Sequence, residues 1–491
     1  MALGKKLDVF NYQDMIRGAS SSDTVSDAGF SPTTTGVNLT YNPGSYYQPD
    51  IPVDKSTGLT GAMIASTQGT NGVNSGYPRV FLSADSSQDG RWWSINGSYV
   101  VTQRGTNDAT SNYVQGKSDM INYQGEIYTT GDQYIVRWSD VGGADTFNYT
   151  FYHFTDSLGT ATLVPHPALV YEDNAFYGNG NVLLKQTSAG GAPAVVLTLS
   201  VGMVIVALGV DAGSGNMLIS VIGEINLSDQ VNSLARVLYY DGFSNKASKV
   251  VQVEEMVTAF PSSEGATYCA YGNNLGYWNG AGVRFLRKFS DIGYDSTQLF
   301  YKQHFTNIGS TLYFLVRNTV WAHGPVHQGG QHVFYPTVYI SAALNKDLTH
   351  VANVGSGNLV FSYATSSFFS WSSTTVTSGI QVTFNSNQYE FQNLNDGAWV
   401  RRVRIYWKDT VANGANPGDI YFYNENGLIT NIGDSGAFSL ANSSGSAKGM
   451  TEILIGGGTG LRVYQLRWQI RHTTLNPGIQ RVEIFGDPAN Q

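Results

Sequence analysis

Residues 123–137 read YQGEIYTTGDQYIVR and residues 171–185 read YEDNAFYGNGNVLLK. Each is a tyrosine, a pair of turn formers, a run of β-branched and aromatic residues, a second turn and another run, which is strand, turn, strand. A third copy begins at Tyr271 (YGNNLGYWNGAGVRFLRKF), and looser ones begin at Leu208 (LGVDAGSGNMLIS), Ile308 (IGSTLYFLVRN) and Val354 (VGSGNLVFSYA). Successive starts lie 48, 37, 63, 37 and 46 residues apart, and the interval of 63 leaves room for a degenerate unit around Val237 to Val253. A unit of roughly 40–50 residues with three or four short strands is the size of a propeller blade. The expectation is an all-β chain with a β-propeller-like domain over residues 76–371, of six or seven blades. The alternative is an irregular sandwich or barrel whose hairpins merely resemble one another.

Outward from this block the text changes twice. Residues 1–75 hold few apolar side chains and no sustained period, and stretches such as Ser20-Ser21-Ser22-Asp23-Thr24 cannot build a core, so this segment is expected to be an extended docking arm, either mobile or ordered against another surface, with a short helix only at Leu7 to Arg17. Ser372 to Gly379 reads as a linker. Beyond it, residues 380–491 alternate cleanly, with Val400, Val403, Ile405 and Trp407, then Tyr421 and Tyr423, then Leu466, Trp468 and Ile470, then Val482 and Ile484. That pattern predicts a β-sandwich or jelly roll, with Arg402, Arg404, Arg467 and Arg471 on its solvent face.

Composition narrows the function. Only 13% of the 491 residues are charged, against about 25% in an ordinary domain, and the net charge is −8. Aromatic content of 13% argues against a disordered chain, the absence of heptads against a coiled coil, and the acidic balance against nucleic acid as the main partner. Cys269 is the sole cysteine, so neither an intrachain disulfide nor a cysteine-rich zinc site is available. Met1 to Phe10 lacks the apolar core of a secretory signal. The uncharged run 192–210 is long enough for a membrane helix, but Pro193, Gly202 and its valines predict two strands with a turn near Ser200 to Gly202, and hence no membrane span.

Candidate chemistry is sparse. Ser87-Gln88-Asp89-Gly90-Arg91-Trp92-Trp93 resembles the Asp-box of sialidase-type propellers but lacks the residue between Asp and Gly. The paired carboxylates that glycoside hydrolysis requires are present only as sequence neighbours, Glu172 with Asp173 and Glu254 with Glu255. Neighbours on a strand point to opposite faces, so neither pair makes a site. His323, His327 and His332 form the only histidine cluster, a weak metal candidate because Gly324, Pro325 and Gly329-Gly330 forbid a helix. Asp211 to Asn216 is read as a hairpin turn rather than a calcium loop, having no downstream bidentate Glu. Trp92, Trp93, Trp278, Trp321 and Trp399 are candidate glycan or interface aromatics, since tryptophan dominates such surfaces. No catalytic residue and no cofactor is expected.

The extended arm, the low charge, the abundance of Gly, Asn, Ser, Thr and Tyr and the serial β-domains together resemble virion structural proteins of tailed bacteriophages. That resemblance implies a non-enzymatic tail, nozzle or adhesion component in the virion, homo-oligomeric, with other virion proteins and a cell-surface glycan as partners. The rival reading is a glycan-active enzyme, sialidase-like or lyase-like, with an accessory carbohydrate-binding sandwich.

Overall fold

The computed structural model describes residues 5–11, 30–31, 40–42, 46–48, 53–54, 61–68, 79–84, 90–95, 100–107, 113–140, 147–153, 164–223, 235–289, 299–316, 319–325, 332–339, 348–355, 357–363, 367–372, 383–386, 389–390, 398–424, 427–429, 436–458, 460–472 and 479–488. Among them the regular structure is β-strand with short 3-10 turns, as the strand-and-turn text predicts.

Seven small antiparallel sheets follow one another along the chain. Sheet I comprises Ala62–Gln68, Arg79–Ala84, Gly90–Ile95 and Val101–Asn107. Sheet II comprises Met120–Tyr123, Glu126–Thr130, Tyr134–Asp140 and Phe147–His153, and sheet III comprises Ala168–Tyr171, Asn174–Asn179, Val182–Gln186 and Ala194–Thr198. Sheet IV comprises Met203–Val210, Met217–Gly223, Ala235–Tyr240 and Lys249–Gln252. Sheet V comprises Val257–Ala259, Ala266–Tyr271, Asn274–Trp278 and Val283–Lys288, with Ser262–Ser263 as an extra pairing. Sheet VI comprises Phe305–Ile308, Thr311–Val316, Thr319–Pro325 and His332–Tyr339. Sheet VII comprises Leu348–Gly355, Asn358–Tyr363 and Ser367–Ser372, and its fourth strand is Val53–Asp54 from the N-terminal segment. In sheets I to VI the main strands pair in sequence order, a meander like that of a propeller blade, and sheet VII departs from it only in its N-terminal fourth strand.

The chain divides into two compact units, one of residues 53–317 with 346–370, the other of residues 1–52 with 318–345 and 371–491. In the first unit, the first strands of sheets I to V lie one against the next, those of VI and VII likewise, and that of VII lies against that of I. The cores occupy the gaps between consecutive sheets. Ile64, Leu82, Trp92, Ile127 and Trp138 fill I/II, Tyr128, Ala175 and Leu184 fill II/III, Leu183, Ile219 and Tyr240 fill III/IV, and Val204, Val237, Cys269 and Trp278 fill IV/V. Met63, Phe81, Trp93, Ala352 and Val360 fill VII/I. A strand offers alternate side chains to opposite faces, so sheets buried on both faces read as near-continuous apolar runs such as MVIVALGV.

The run 192–210 is two strands, Ala194–Thr198 and Met203–Val210, with Met203 N–H donating to Ser200 O (3.1 Å) and Gly202 at φ 89° between them. The turn joins sheet III to sheet IV. No helix among the described residues is long and apolar enough to cross a membrane.

The second unit holds, besides the strands Thr319–Pro325 and His332–Tyr339, two seven-stranded sheets. One runs Thr40–Asn42, Tyr46–Gln48, Ile479–Pro488, Ala398–Val411 and Lys448–Leu454, joined by Lys5–Asn11 and Leu461–Val463. The other runs Phe30–Ser31, Thr383–Ser386, Gln465–His472, Gly418–Asn424 and Gly427–Leu428, joined by Tyr389–Glu390 and Ala437–Ser439. Val403, Ile405, Trp468, Ile470 and Ile484 are buried, on the alternation expected, whereas strand Gly418–Asn424 buries Ile420 and Phe422 and leaves the expected Tyr421 and Tyr423 half-exposed.

Three expectations need correction. The described strands of the N-terminal segment pair with the chain's own strands: Lys5–Asn11 with Ile479–Pro488, Phe30–Ser31 with Thr383–Ser386, and Val53–Asp54 with Ser367–Ser372. Such edge additions need only backbone N–H and C=O groups, which explains why no side-chain period announces them. The first sheet begins at Ala62, inside the stretch assigned to the arm. Arg402 is buried rather than solvent-facing, because a bulge between Val400 and Arg402 shifts the alternation and turns it under the Phe485 ring, 4.2 Å from its centroid.

Candidate functional site

Most residues singled out by the sequence are structural. Trp92, Trp93, Trp278 and Trp321 are at most 3% exposed, so none of the four offers a glycan or partner surface. Trp92 and Trp93, adjacent on one strand, anchor opposite faces of sheet I, the first against sheet II and the second against sheet VII. Trp93 Nε1 donates to Ser83 Oγ (2.8 Å), and Trp278 Nε1 donates to the Tyr239 hydroxyl (2.7 Å). Only Trp399 reaches solvent.

His323 is buried, stacked on Phe334 at 4.2 Å, with the His332 ring at 5.4 Å. His327 lies outside the described residues, as do Ser87, Gln88 and Asp89 of the Asp-box-like stretch. Among the described residues no group of three or more His, Cys, Asp and Glu is placed to hold a metal ion.

Glu172 and Asp173 are the exposed two-residue turn between the first strands of sheet III, both in left-handed backbone (φ 49° and 56°). Asp211 caps its own turn, accepting from Gly213 N–H (3.1 Å) and Ser214 Oγ (2.7 Å), as a hairpin reading requires. Burial, reinforced by Asp211, pushes the Cys269 thiol up, so it stays protonated and inert.

What the sequence did not single out is a cavity of about 320 Å³ in the first unit, where the first strands converge. Leu169 from sheet III, Leu208 from IV, Phe260 from V, and Phe305 and Leu312 from VI supply apolar walls. Among the described residues two cations line it, Arg79 and Lys302, and no carboxylate does. Lys302 Nζ is already paired, to Asp119 Oδ2 (2.8 Å) and the Ala168 carbonyl (2.9 Å). Asp119 is buried and also accepts from Met120 N–H (2.8 Å, Oδ1) and Ala168 N–H (2.9 Å, Oδ2), tying sheet II to sheet III. Arg79 differs. Its Nε is buried with no hydrogen-bond partner among the described residues, and burial lowers its pKa to about 10.

Two buried histidines are coupled to this region, His304 next to Phe305 in sequence and His350 through the charge of Arg79. Burial lowers His304 to about 4, and burial, then the charges of Arg79 and His304, hold His350 well below the usual imidazole value. Both are neutral at pH 7.

A second feature lies on the outer strands. In sheet V the last strand, Val283–Lys288 (VRFLRK), is an edge, and Phe285 on it is 58% exposed opposite Gly276, which has no side chain to cover it. Arg284 and Lys288 on the same strand are exposed. On sheet IV, Val250 and Phe243 are exposed, and Lys185 from sheet III fixes the Phe243 loop by donating to Gly242 O (3.0 Å) with its ammonium 4.8 Å from the Phe243 ring centroid. Lys249 repeats the device one sheet on, donating to Gly280 O (2.6 Å). Gly242 and Gly280 both have φ near 80°, a turn geometry in which a side chain would be strained.

No protein-family model matches the chain, and no curated protein does. Among solved structures it matches the Dos1 propeller (10% identity, TM-score 0.43, covering 66% of this chain and 94% of that one). It also matches YCF48 bound to a D1 peptide (10%, 0.44, 68% and 98%) and Saccharomyces cerevisiae Sqt1 (11%, 0.40, 69% and 99%). These are propellers of other kinds and not virion proteins, so the resemblance to tailed-phage structural proteins is overturned. The style that suggested it, low charge with abundant Gly, Asn and Tyr, belongs to serial β-hairpins in general.

Proposed function

We propose that the chain is a non-enzymatic scaffold for protein partners, built from a seven-bladed propeller whose last blade is completed by Val53–Asp54 and from a β-sandwich made of the two seven-stranded sheets. The serial four-stranded meanders and the core between sheets VII and I support the closed propeller. In a propeller the inner edges are short and protected, and the longer surface left for recognition is the outer rim.

The observation that carries the reading is Phe285. Exposed edge strands are ordinarily protected by cations, and Arg284 and Lys288 do that here. A large aromatic among them, 58% exposed, is what protection would avoid and what docking requires. The strand fits an extended segment that adds to the edge, gives its backbone groups to Val283–Lys288, and matches the cations with carboxylates. The partner is therefore an acidic, β-prone protein segment.

The test is fluorescence anisotropy with a labelled peptide of alternating Glu and Val and its Lys and Val counterpart. The acidic peptide binds saturably, the basic one does not, and Phe285→Asp abolishes binding. Equal binding of both peptides, or none of the acidic one, sinks the reading. Concentration-dependent self-association that Phe285→Asp removes would make a second copy the occupant and overturn the acidic partner.

A further inference from the structure

We propose that the cavity on the inner strands of the first unit is a binding site for a small organic carboxylate with an apolar body, held by Arg79. Nothing in the scaffold reading requires this site, and it stands on separate residues.

Three features converge on it. The volume, about 320 Å³, is at the lower end of ligand pockets and equals the liquid share of about ten water molecules, so the occupant has on the order of ten heavy atoms. The walls formed by Leu169, Leu208, Phe260, Phe305 and Leu312 suit a hydrocarbon or aromatic body. The cations differ: Lys302 is paired with Asp119, whereas Arg79, half-buried, has no ion-pair partner among the described residues and its Nε no acceptor.

A half-buried cation with no counter-ion among the described residues is poorly solvated, and a guanidinium presents parallel N–H donors in the spacing of a carboxylate's two oxygens. A carboxylate entering from solvent would satisfy it, and the apolar walls would be covered by the rest of the molecule. Inorganic phosphate would answer the charge and leave the walls wet. A neutral amide of the same shape would cover the walls and leave the charge. The site therefore discriminates in favour of a ligand with both properties.

The two buried histidines sharpen this. His304 and His350, neutral through burial, add no second positive charge at pH 7, so a monoanion suffices.

The experiment is isothermal titration of the intact chain at pH 7 with benzoate, benzamide and inorganic phosphate. Benzoate binds at one site per chain, about tenfold or more tighter than either comparator, a gap of about 1.4 kcal/mol per decade. Arg79→Gln removes the preference for the acid over the amide, and Arg79→Lys, which keeps the charge but not the two-pronged geometry, restores part of it. Should Arg79→Gln fail to fold, the acid-to-amide comparison on the unaltered chain decides alone. Benzoate and benzamide binding equally, phosphate binding as tightly as benzoate, no saturable benzoate binding, or a folded Arg79→Gln that still prefers benzoate would each overturn the proposal. The rim peptide assay is unaffected by any of these results, so the two readings fail separately.

Discussion

Asp119 offers the most decisive perturbation of the fold around the cavity. Its carboxylate accepts two backbone N–H groups, from Met120 and Ala168, and the Lys302 ammonium. Hydrogen bonds to a charged group contribute about 1.5–3 kcal/mol each when buried, so the two backbone donors together account for about 3–6 kcal/mol. The ion pair adds little, because the Lys302 side chain is 45% exposed and keeps the Ala168 carbonyl, and an exposed pair contributes under about 1 kcal/mol. Asp119→Ala leaves both N–H groups buried without an acceptor and is expected to cost about 3–5 kcal/mol. Asp119→Asn keeps one acceptor but aims an amide N–H at the other donor, for about 2–3 kcal/mol. Lys302→Met should cost less than about 1 kcal/mol. Urea unfolding followed by tryptophan fluorescence reads these differences, since Trp92, Trp93, Trp138 and Trp278 all lie in the cores of this unit. A loss below about 1 kcal/mol for Asp119→Ala, or a loss for Lys302→Met as large, would refute the argument that the carboxylate acts chiefly on the backbone.

Further outcomes follow from the same geometry. Trp93→Ala empties the packing between sheets VII and I and should cost about 3–5 kcal/mol by chemical denaturation, as should Trp92→Ala on the opposite face. Gly209→Ala would drive a Cβ into Phe260 Cβ, a contact no rotamer change relieves, and should cost about 1–3 kcal/mol, read as a lowered thermal midpoint. His304, lowered to about 4 in the folded chain against about 6.5 unfolded, contributes stability that is complete above pH 6.5 and lost as pH falls towards 4, about 3 kcal/mol in all. His304→Gln should accordingly lose less stability than the unaltered chain between pH 7 and pH 4.5, and an equal loss in both would contradict the burial argument.

The hairpin text was legible because turn residues and β-branched runs carry it locally. The copies starting at Tyr123, Tyr171, Leu208, Ile308 and Val354 all mark the turn between the first and second strands of sheets II, III, IV, VI and VII. The copy at Tyr271 marks the turn between the second and third strands of sheet V instead. Gly and Asn look alike at either turn, so the frame slipped by one hairpin, and the apparent interval of 63 residues contains no extra sheet. The strand Ala62–Gln68 (AMIASTQ) was hidden among small polar residues, and Val53–Asp54 is too short to show any period. Large aromatics are needed between stacked sheets as much as on surfaces, and Trp92, Trp93, Trp278 and Trp321 all went inside. Arg79 and Lys302 carry no mark in the sequence, because what distinguishes them is that strands far apart in the chain bring them to one cavity.

The closure of the propeller by the chain's own N-terminal segment is tested most directly by a disulfide between Val53 and Ser370, which face each other across the last two strands of sheet VII. Facing residues on antiparallel strands have Cα atoms roughly 4.5–5.5 Å apart, within the span a disulfide bridges. In the double variant Val53→Cys with Ser370→Cys, mild oxidation should give a monomer with no free thiol at either position and a raised thermal midpoint, while buried Cys269 stays reduced. Two thiols that remain free, or a disulfide found only between chains, would contradict closure from within the chain and return the N-terminal segment to the part of an arm that docks on a neighbour.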